Sequence, residues 1–231
     1  MNTPFDYLIL SPHPDDAVFS LGQHLINWTK SGKTIKIINV FNSYGTEDLA
    51  SENAWNFLLK YGYKNVKELT RSRQTDQKNI ITRMGIEVDS LNYVDASFRL
   101  FSTTPVYVTH QALMSGRIST YDSQLPQQII DKISTISYHQ IICPYGVGNH
   151  ADHTILRKVG DILKKQKKPV KYYLESPYIW RDFNYVKYSV QILRASSYLN
   201  QVSAKNDLLK LYSYYHLLVR DHESFPEVIV D

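Results

Sequence analysis

Histidine and aspartate occur together twice in this chain, as His13-Pro14-Asp15-Asp16 and as His150-Ala151-Asp152-His153. His13 stands three residues before Asp16, and His150 three before His153. At the start of a helix that spacing can turn both side chains toward one point. Zinc accepts imidazole nitrogen and carboxylate oxygen at about 2.0–2.2 Å, and a catalytic zinc site keeps one position for water. Two histidines and an aspartate would make such a ligand triad, and a further carboxylate beside the water could serve as the base. Cys143 is the only cysteine, so an intrachain disulfide is excluded and a metal must be held by nitrogen and oxygen. Ligands of that type do not choose between zinc and iron(II). The alternative is that Asp15 and Asp16 are simply favourable charge at a helix N-terminus. That reading explains neither His13 nor the repetition of the same chemistry at a second place.

Each set sits between an apolar run and an amphipathic pattern. Tyr7 to Ser11 reads as a buried parallel strand, lacking strict alternation. Pro14 suits the first position of a helix whose apolar face carries Ala17, Val18, Leu21, Leu25 and Trp28, and Thr34 to Phe41 is the next strand. Strand, helix and strand make a right-handed βαβ unit. Further helices are predicted over 54–61, 71–84, 127–138 and 152–165, and strands over 90–94, 140–143 and 171–175. A weaker strand is predicted over 188–190 and a late helix over 208–218, whereas Phe101 to Thr120 shows no clear pattern. Alternating strands and helices imply one α/β sandwich with a mostly parallel sheet. Ligands of such sheets bind beyond the carboxyl ends of the strands. Both sets lie at such ends, so one shared site forms if their strands lie side by side.

The chain has 231 residues, 43% hydrophobic and 21% charged, with a formal charge of +4. That is long enough for one well-buried domain and far from a disordered composition. No interdomain linker or repeat appears, so residues 1–231 read as a single domain. Lys164, Lys165, Lys167 and Lys168 fall at a predicted helix end, where they complement the helix dipole. No wider basic stripe accompanies them, and a nucleic-acid partner is not expected. The first ten residues lack the features of a signal peptide, and no stretch approaches the ~18 apolar residues of a membrane span. A cytoplasmic protein is expected. Cys143 follows Ile141-Ile142 and reads as a small core residue.

The segments Ser11-Pro12-His13-Pro14-Asp15-Asp16-Ala17-Val18-Phe19-Ser20-Leu21-Gly22 and Pro144-Tyr145-Gly146-Val147-Gly148-Asn149-His150-Ala151-Asp152-His153 resemble the two motifs of the PIG-L/LmbE-like deacetylases. The resemblance runs from about residue 5 to 165, and 166–231 would complete the domain. It implies a Rossmann-like three-layer fold and zinc-dependent removal of an acyl group, mainly acetyl, from amino sugars and related amines. Carried over by position, His13, Asp16 and His153 would bind zinc. Asp15 would be the general base, and His150, as a cation oriented or charged by Asp152, would stabilise the oxyanion. Position 17 is Ala where many members have Glu. Arg73-Gln74-Thr75-Asp76 is the nearest match to the family's Arg-x-x-Glu segment. Asp95 matches a recurrent family aspartate, although it also reads as a turn residue after a strand. Arg73 and Asp95 are candidate contacts to substrate or to the metal ligands, and Arg99 is a less secure one.

The chain has 18 tyrosines. Tyr44, Tyr107, Tyr145, Tyr178, Trp180 and Tyr185 fall in predicted loops, where rings could stack on a sugar or fill the core beneath. Tyr145, close before His150, is the one expected to touch substrate. The segment Tyr212 to Leu218 could pack in the core, form a homo-oligomer surface or touch an interface. His24, His110, His139, His216 and His222 lack a matching acid pattern and are not counted as ligands. The expected partner is a small N-acylated amino sugar or its conjugate. An amidase for a non-sugar amine and a non-catalytic metal- or sugar-binding homologue are the alternatives. Asp15 argues against the last, since binding needs no base. The first βα turn carries no G-x-G-x-x-G, which argues against a nucleotide-binding module.

Overall fold

Leu8 and Leu10 point into one apolar core and Ile9 into another, as alternate residues of a strand buried on both faces must. The computed structural model describes residues 3–45, 52–60, 62–180, 184–199 and 226–231. In chain order its elements begin β1 (Phe5–Ser11), α1 (Asp16–Lys30), β2 (Ile35–Ser43), α2 (Glu52–Lys60), α3 (Val66–Arg83) and β3 (Glu87–Val94). An excursion follows, with the short hairpin β4 (Leu100–Phe101) and β5 (Thr104–Pro105) and the single turn α4 (His110–Leu113). Then come α5 (Leu125–Ile133), β6 (Tyr138–Pro144), α6 (Ala151–Lys165) and β7 (Val170–Tyr173). The described chain ends with α7 (Asn184–Lys187), α8 (Ser189–Leu193), β8 (Ser197–Leu199) and β9 (Glu227–Val230).

One seven-stranded sheet runs in the order β3-β2-β1-β6-β7-β9-β8. The first five are mutually parallel, β9 is added antiparallel to β7, and β8 pairs antiparallel with β9 and so runs with the first five. Val18, Leu21 and Leu25 of α1 and Ile80 and Ile81 of α3 cover one face of the sheet. Ile129, Ile130 and Ile133 of α5 and Ile155, Leu156, Val159 and Leu163 of α6 cover the other. The result is the three-layer α/β sandwich expected from the alternation of elements. From β1 the chain winds outward to β2 and β3, then crosses back to β6 on the other side of β1. The sheet thus reverses direction between β1 and β6, where ligands of open α/β sheets bind. The pairing of Leu8 with Ile141 and Ile9 with Ile142 brings the ends of both strands level, so the loops carrying His13 and His150 leave side by side.

Several elements differ from the sequence pattern. α1 starts at Asp16 rather than Pro14, because residues 13–15 form a turn closed by the Asp16 carboxylate on the His13 N–H at 2.9 Å. The strand expected over 188–190 is helical: α8 begins at Ser189, and the Tyr188 ring packs edge-on against Tyr145 at 5.6 Å. A triplet with one aromatic and one β-branched residue is too short to specify a strand against such packing. The antiparallel pair β8 and β9 was not legible at all. His24 does have an acid partner, Glu227, at 2.7 Å from Nδ1 and 203 residues away, too far for any local pattern. The helix expected over 208–218, with His216 and His222, lies outside the described residues. Among the described residues no helix is long and apolar enough to cross a membrane.

Candidate metal centre

Ser11, the last residue of β1, ties down the first loop. Its hydroxyl donates to the His13 carbonyl at 2.6 Å and accepts the Ala17 N–H at 3.1 Å. His13 and Asp16 are thereby held facing each other, with His13 Nδ1 3.0 Å from Asp16 Oδ2. The first turn of α6 brings His153 to the same oxygen, Nε2 lying 3.4 Å away. Both strand-helix junctions therefore meet on one carboxylate oxygen. The rings of His13, His150 and His153 form a near-equilateral group, with centroids 5.2, 5.5 and 5.4 Å apart.

The other nitrogen of each ligand candidate faces a second carboxylate. His13 Nε2 lies 3.1 Å from Asp152 Oδ2 and 3.2 Å from Asp95 Oδ2, and His153 Nδ1 lies 3.1 Å from Glu175 Oε1. Metal-ligating histidines are typically held in this way, one nitrogen inward and one on a carboxylate. Ligand atoms at ~2.0 Å from a tetrahedral centre stand about 3.3 Å apart, close to the separations around Asp16. His13, Asp16 and His153 each offer a ligand atom within 4.8 Å of the others. A second set, His13 with Asp95, His150 and Asp152, meets the same limit. In that set Asp152 is already committed: Oδ2 accepts the Ala96 N–H at 2.9 Å and Oδ1 accepts Arg99 Nη2. It therefore reads as support for His13, and the Asp16-centred set as the place for a divalent cation.

Electrostatics point the same way. Around the cluster the carboxylates Asp15, Asp16, Asp95, Asp122, Asp152 and Glu175 meet two guanidinium groups, Arg73 and Arg99. Burial alone would lower the pKa of His13, but the carboxylates of Asp95, Asp152 and Asp16 outweigh it and hold the ring well above its ordinary value. His153 likewise rises to about 9, burial being overcome by Asp16 and Glu175. Burial would raise Asp16, yet His153 and His13 hold it well below the usual carboxylate range. A site that keeps protons on two buried imidazoles has a potential that also favours a cation.

His150 behaves oppositely. Burial drives its pKa down to about 4, despite the Asp152 charge, so the ring is neutral at neutral pH and not the cation expected from the motif. Its Nδ1 accepts the backbone N–H of Asp152 at 3.2 Å, which leaves the ring proton on Nε2. Asp152 thus touches His150 through its backbone, while its side chain serves His13 and Arg99.

Asp15 is 7% exposed, and Arg73 Nη2 donates to its Oδ1 at 2.6 Å while Nη1 donates to the Tyr44 hydroxyl at 3.0 Å. Asp95 does two jobs: Oδ1 accepts the Ser97 N–H at 2.8 Å as a turn residue, and Oδ2 faces His13. Tyr145 is not brought into the cluster. Its ring packs edge-on against Tyr172 and Tyr188, with the Arg157 guanidinium 3.9 Å from its centroid. Tyr44 and Tyr107 are 2% and 3% exposed and fill core. Glu175 carried no signal in the motifs, yet it holds His153 and also accepts the N–H groups of Gly146 and Val147 at 2.7 and 3.1 Å. An acid directly after the apolar run of β7, at the same sheet edge, was the clue to it. Arg99 links Asp152 to Asp122 and also donates to the Val94 carbonyl from Nε and Nη2 at 3.1 and 2.8 Å.

Residues 8–163 match the PIG-L family, described as GlcNAc-PI de-N-acetylase. Over 198 residues the chain is 26% identical to 2'-N-acetylparomamine deacetylase of Niallia circulans, covering 77% of this chain and 69% of that protein. Among solved structures, a deacetylase of teicoplanin biosynthesis in complex with teicoplanin superposes with a TM-score of 0.75 at 17% identity, over 97% of this chain and 96% of that one. The A40926 pseudoaglycone deacetylase superposes with a TM-score of 0.64 at 18% identity, over 94% and 84% of the two chains. With both motifs inside the matched span and their side chains gathered on one carboxylate, the chain belongs to the PIG-L family of de-N-acetylases and is a hydrolytic N-deacetylase.

Proposed function

We propose that the chain removes an N-acetyl group from an amino sugar carried on a larger conjugate, using zinc held by His13, Asp16 and His153. The observation that supports this most is the single Asp16 oxygen shared by two imidazoles whose outer nitrogens rest on carboxylates. The family's description and the acetylparomamine relative support a sugar-borne amide. When bound, the cation supplies Lewis acidity to the amide carbonyl and makes water more acidic. Asp15 takes the proton of the attacking water and returns it to the departing amine. Arg73 fixes the direction of that carboxylate through Oδ1. His150 donates its Nε2 proton to the developing oxyanion, acting as a neutral donor aimed by the Asp152 N–H. Neutral imidazole is competent for this, since what counts is a pre-aimed N–H in a dry site. Asp152 and Asp95 orient His13, and Glu175 orients His153.

The test is acetate release from N-acetylated sugars, sugar conjugates and polyamines, with the metal content of the protein quantified. Release from sugars that stops on chelation and returns with zinc is expected. Release confined to polyamines would overturn the sugar assignment, and release indifferent to chelation would overturn the metal.

A further inference from the structure

The large apolar side chains that stay exposed among the described residues fall in three segments: α2, the excursion between β3 and α5, and residues 184–193. The covering helices α1, α3, α5 and α6 contribute none. Two of these side chains meet. Phe101 and Tyr121 stack with ring centroids 4.0 Å apart and an interplanar angle of 19°, though they are 55% and 58% exposed. Each ring covers one face of the other and presents its remaining surface to water, a use of aromatic area that serves binding better than folding.

The pair stands on rigid supports. Phe101 is held in the β4–β5 hairpin opposite Thr104. Tyr121 lies in a 3-10 turn capped by Ser119, whose hydroxyl accepts its N–H at 3.3 Å. Both are bolted to the metal centre by one buried network. Arg99, two residues before Phe101, binds Asp152 and Asp122, and Asp122, next to Tyr121, also accepts the Tyr107 hydroxyl at 2.9 Å. Two residues of chain span at most ~7 Å, so Phe101 stays close to Arg99, which binds the His13 support Asp152, and Tyr121 stays close to Asp122, which binds Arg99. The exposed neighbours Ser102, Thr103, Thr104, Thr120 and Ser123 carry hydroxyls. Residues 100–107 and 118–124 contain no Lys or Arg, as a surface for anionic lipid would.

We propose that Phe101 and Tyr121 form a stacking subsite for a ring of the conjugate beyond the acylated sugar, either the apolar face of a second pyranose or an aromatic ring. This deepens the N-deacetylase reading and rests on it for the location of the first sugar. Of the aromatic residues that the sequence placed in loops, Tyr44 and Tyr107 are buried and cannot do this. A preformed pair binds without the cost of ordering it, and one stacked ring is worth about a twofold to tenfold change in affinity.

Saturation-transfer NMR with phenyl β-glucoside, cellobiose and methyl β-glucoside tests the subsite without using any hydrolysable amide. The wild-type protein is expected to saturate the phenyl ring of the first probe or the second sugar of the other, and the stronger arm identifies the ring. Phe101→Ala and Tyr121→Ala should each weaken that binding by about twofold to tenfold, whereas Phe101→Tyr and Tyr121→Phe should retain it. Thermal melts confirm that the exposed substitutions leave the fold intact. No saturation from either two-ring probe, or equal binding by the Ala variants, overturns the proposal. Acetate release by the wild-type protein from the panel of N-acetylated sugars and sugar conjugates is read separately. Its absence across the whole panel counts against the deacetylase reading and leaves the stacking result standing.

Discussion

Asp15 and Asp16 carry the same side chain at adjacent positions, yet their surroundings assign them different work. Asp16 turns back on the His13 N–H and ring and meets His153, whereas Asp15 is held by Arg73. Asp15→Asn should keep the metal bound while lowering kcat by about 10²–10⁴-fold, the usual range for a positioned base. Elemental measurement of bound metal beside acetate release checks this, and loss of metal would move Asp15 into the ligand set. Glu175 has the reverse signature. Glu175→Gln removes an acceptor from a group that serves His153 and two loop N–H groups. Metal affinity should fall by roughly 10–100-fold, as read by competition with a chromogenic chelator. The paired motif residues were legible from type and spacing. Glu175 was not, because its partners are segments away, and Arg99 stood out only weakly, because its carboxylate partners Asp122 and Asp152 are equally remote.

At the scale of elements, the loop from β6 to α6 decides where His150 and His153 stand. It turns on Gly148, at φ +84°, where an added Cβ would sit 2.8 Å from the Tyr178 ring. An L side chain in that left-handed region costs roughly 1–2 kcal/mol before Tyr178 is displaced. Gly148→Ala should therefore lower the melting temperature by about 3–6 °C and depress kcat/KM through the displaced His150. A melt unchanged within error would show that the loop absorbs the methyl. The parallel strands and their helices were readable, since continuous apolar runs and three- and four-residue periodicity report local burial. The hairpin and single turns between 100 and 122 escaped because they are too short to carry a period. Arg99, Asp122 and Tyr107 hold them from within.

Across the whole molecule, β9 enters the sheet from the far end of the sequence, between β7 and β8. Glu227, 1% exposed, accepts backbone N–H groups of Gln23 and His24 at 2.8 and 2.9 Å and contacts the His24 ring, whose Nε2 reaches Ser197 at 2.9 Å. Removing one partner of such a buried polar set leaves the others unsatisfied. Glu227→Ala should cost about 3–5 kcal/mol, seen as a lower denaturant midpoint at unchanged slope. A loss below about 1 kcal/mol would mean that water replaces the carboxylate. Residue types, spacing and helix starts already marked His13, Asp15, Asp16, His150, Asp152 and His153 as one chemistry and predicted a parallel sheet to carry them. Those signals are local: a cap, a turn or an apolar stripe is written within a few neighbouring residues. Packing then chose what joined them, through Asp95, Arg99 and Glu175, made His150 neutral by burying it, and hid Tyr44 and Tyr107 while leaving Phe101 and Tyr121 in water. Such outcomes depend on which distant surfaces meet and how much water they exclude, and no pattern along a single chain records either quantity.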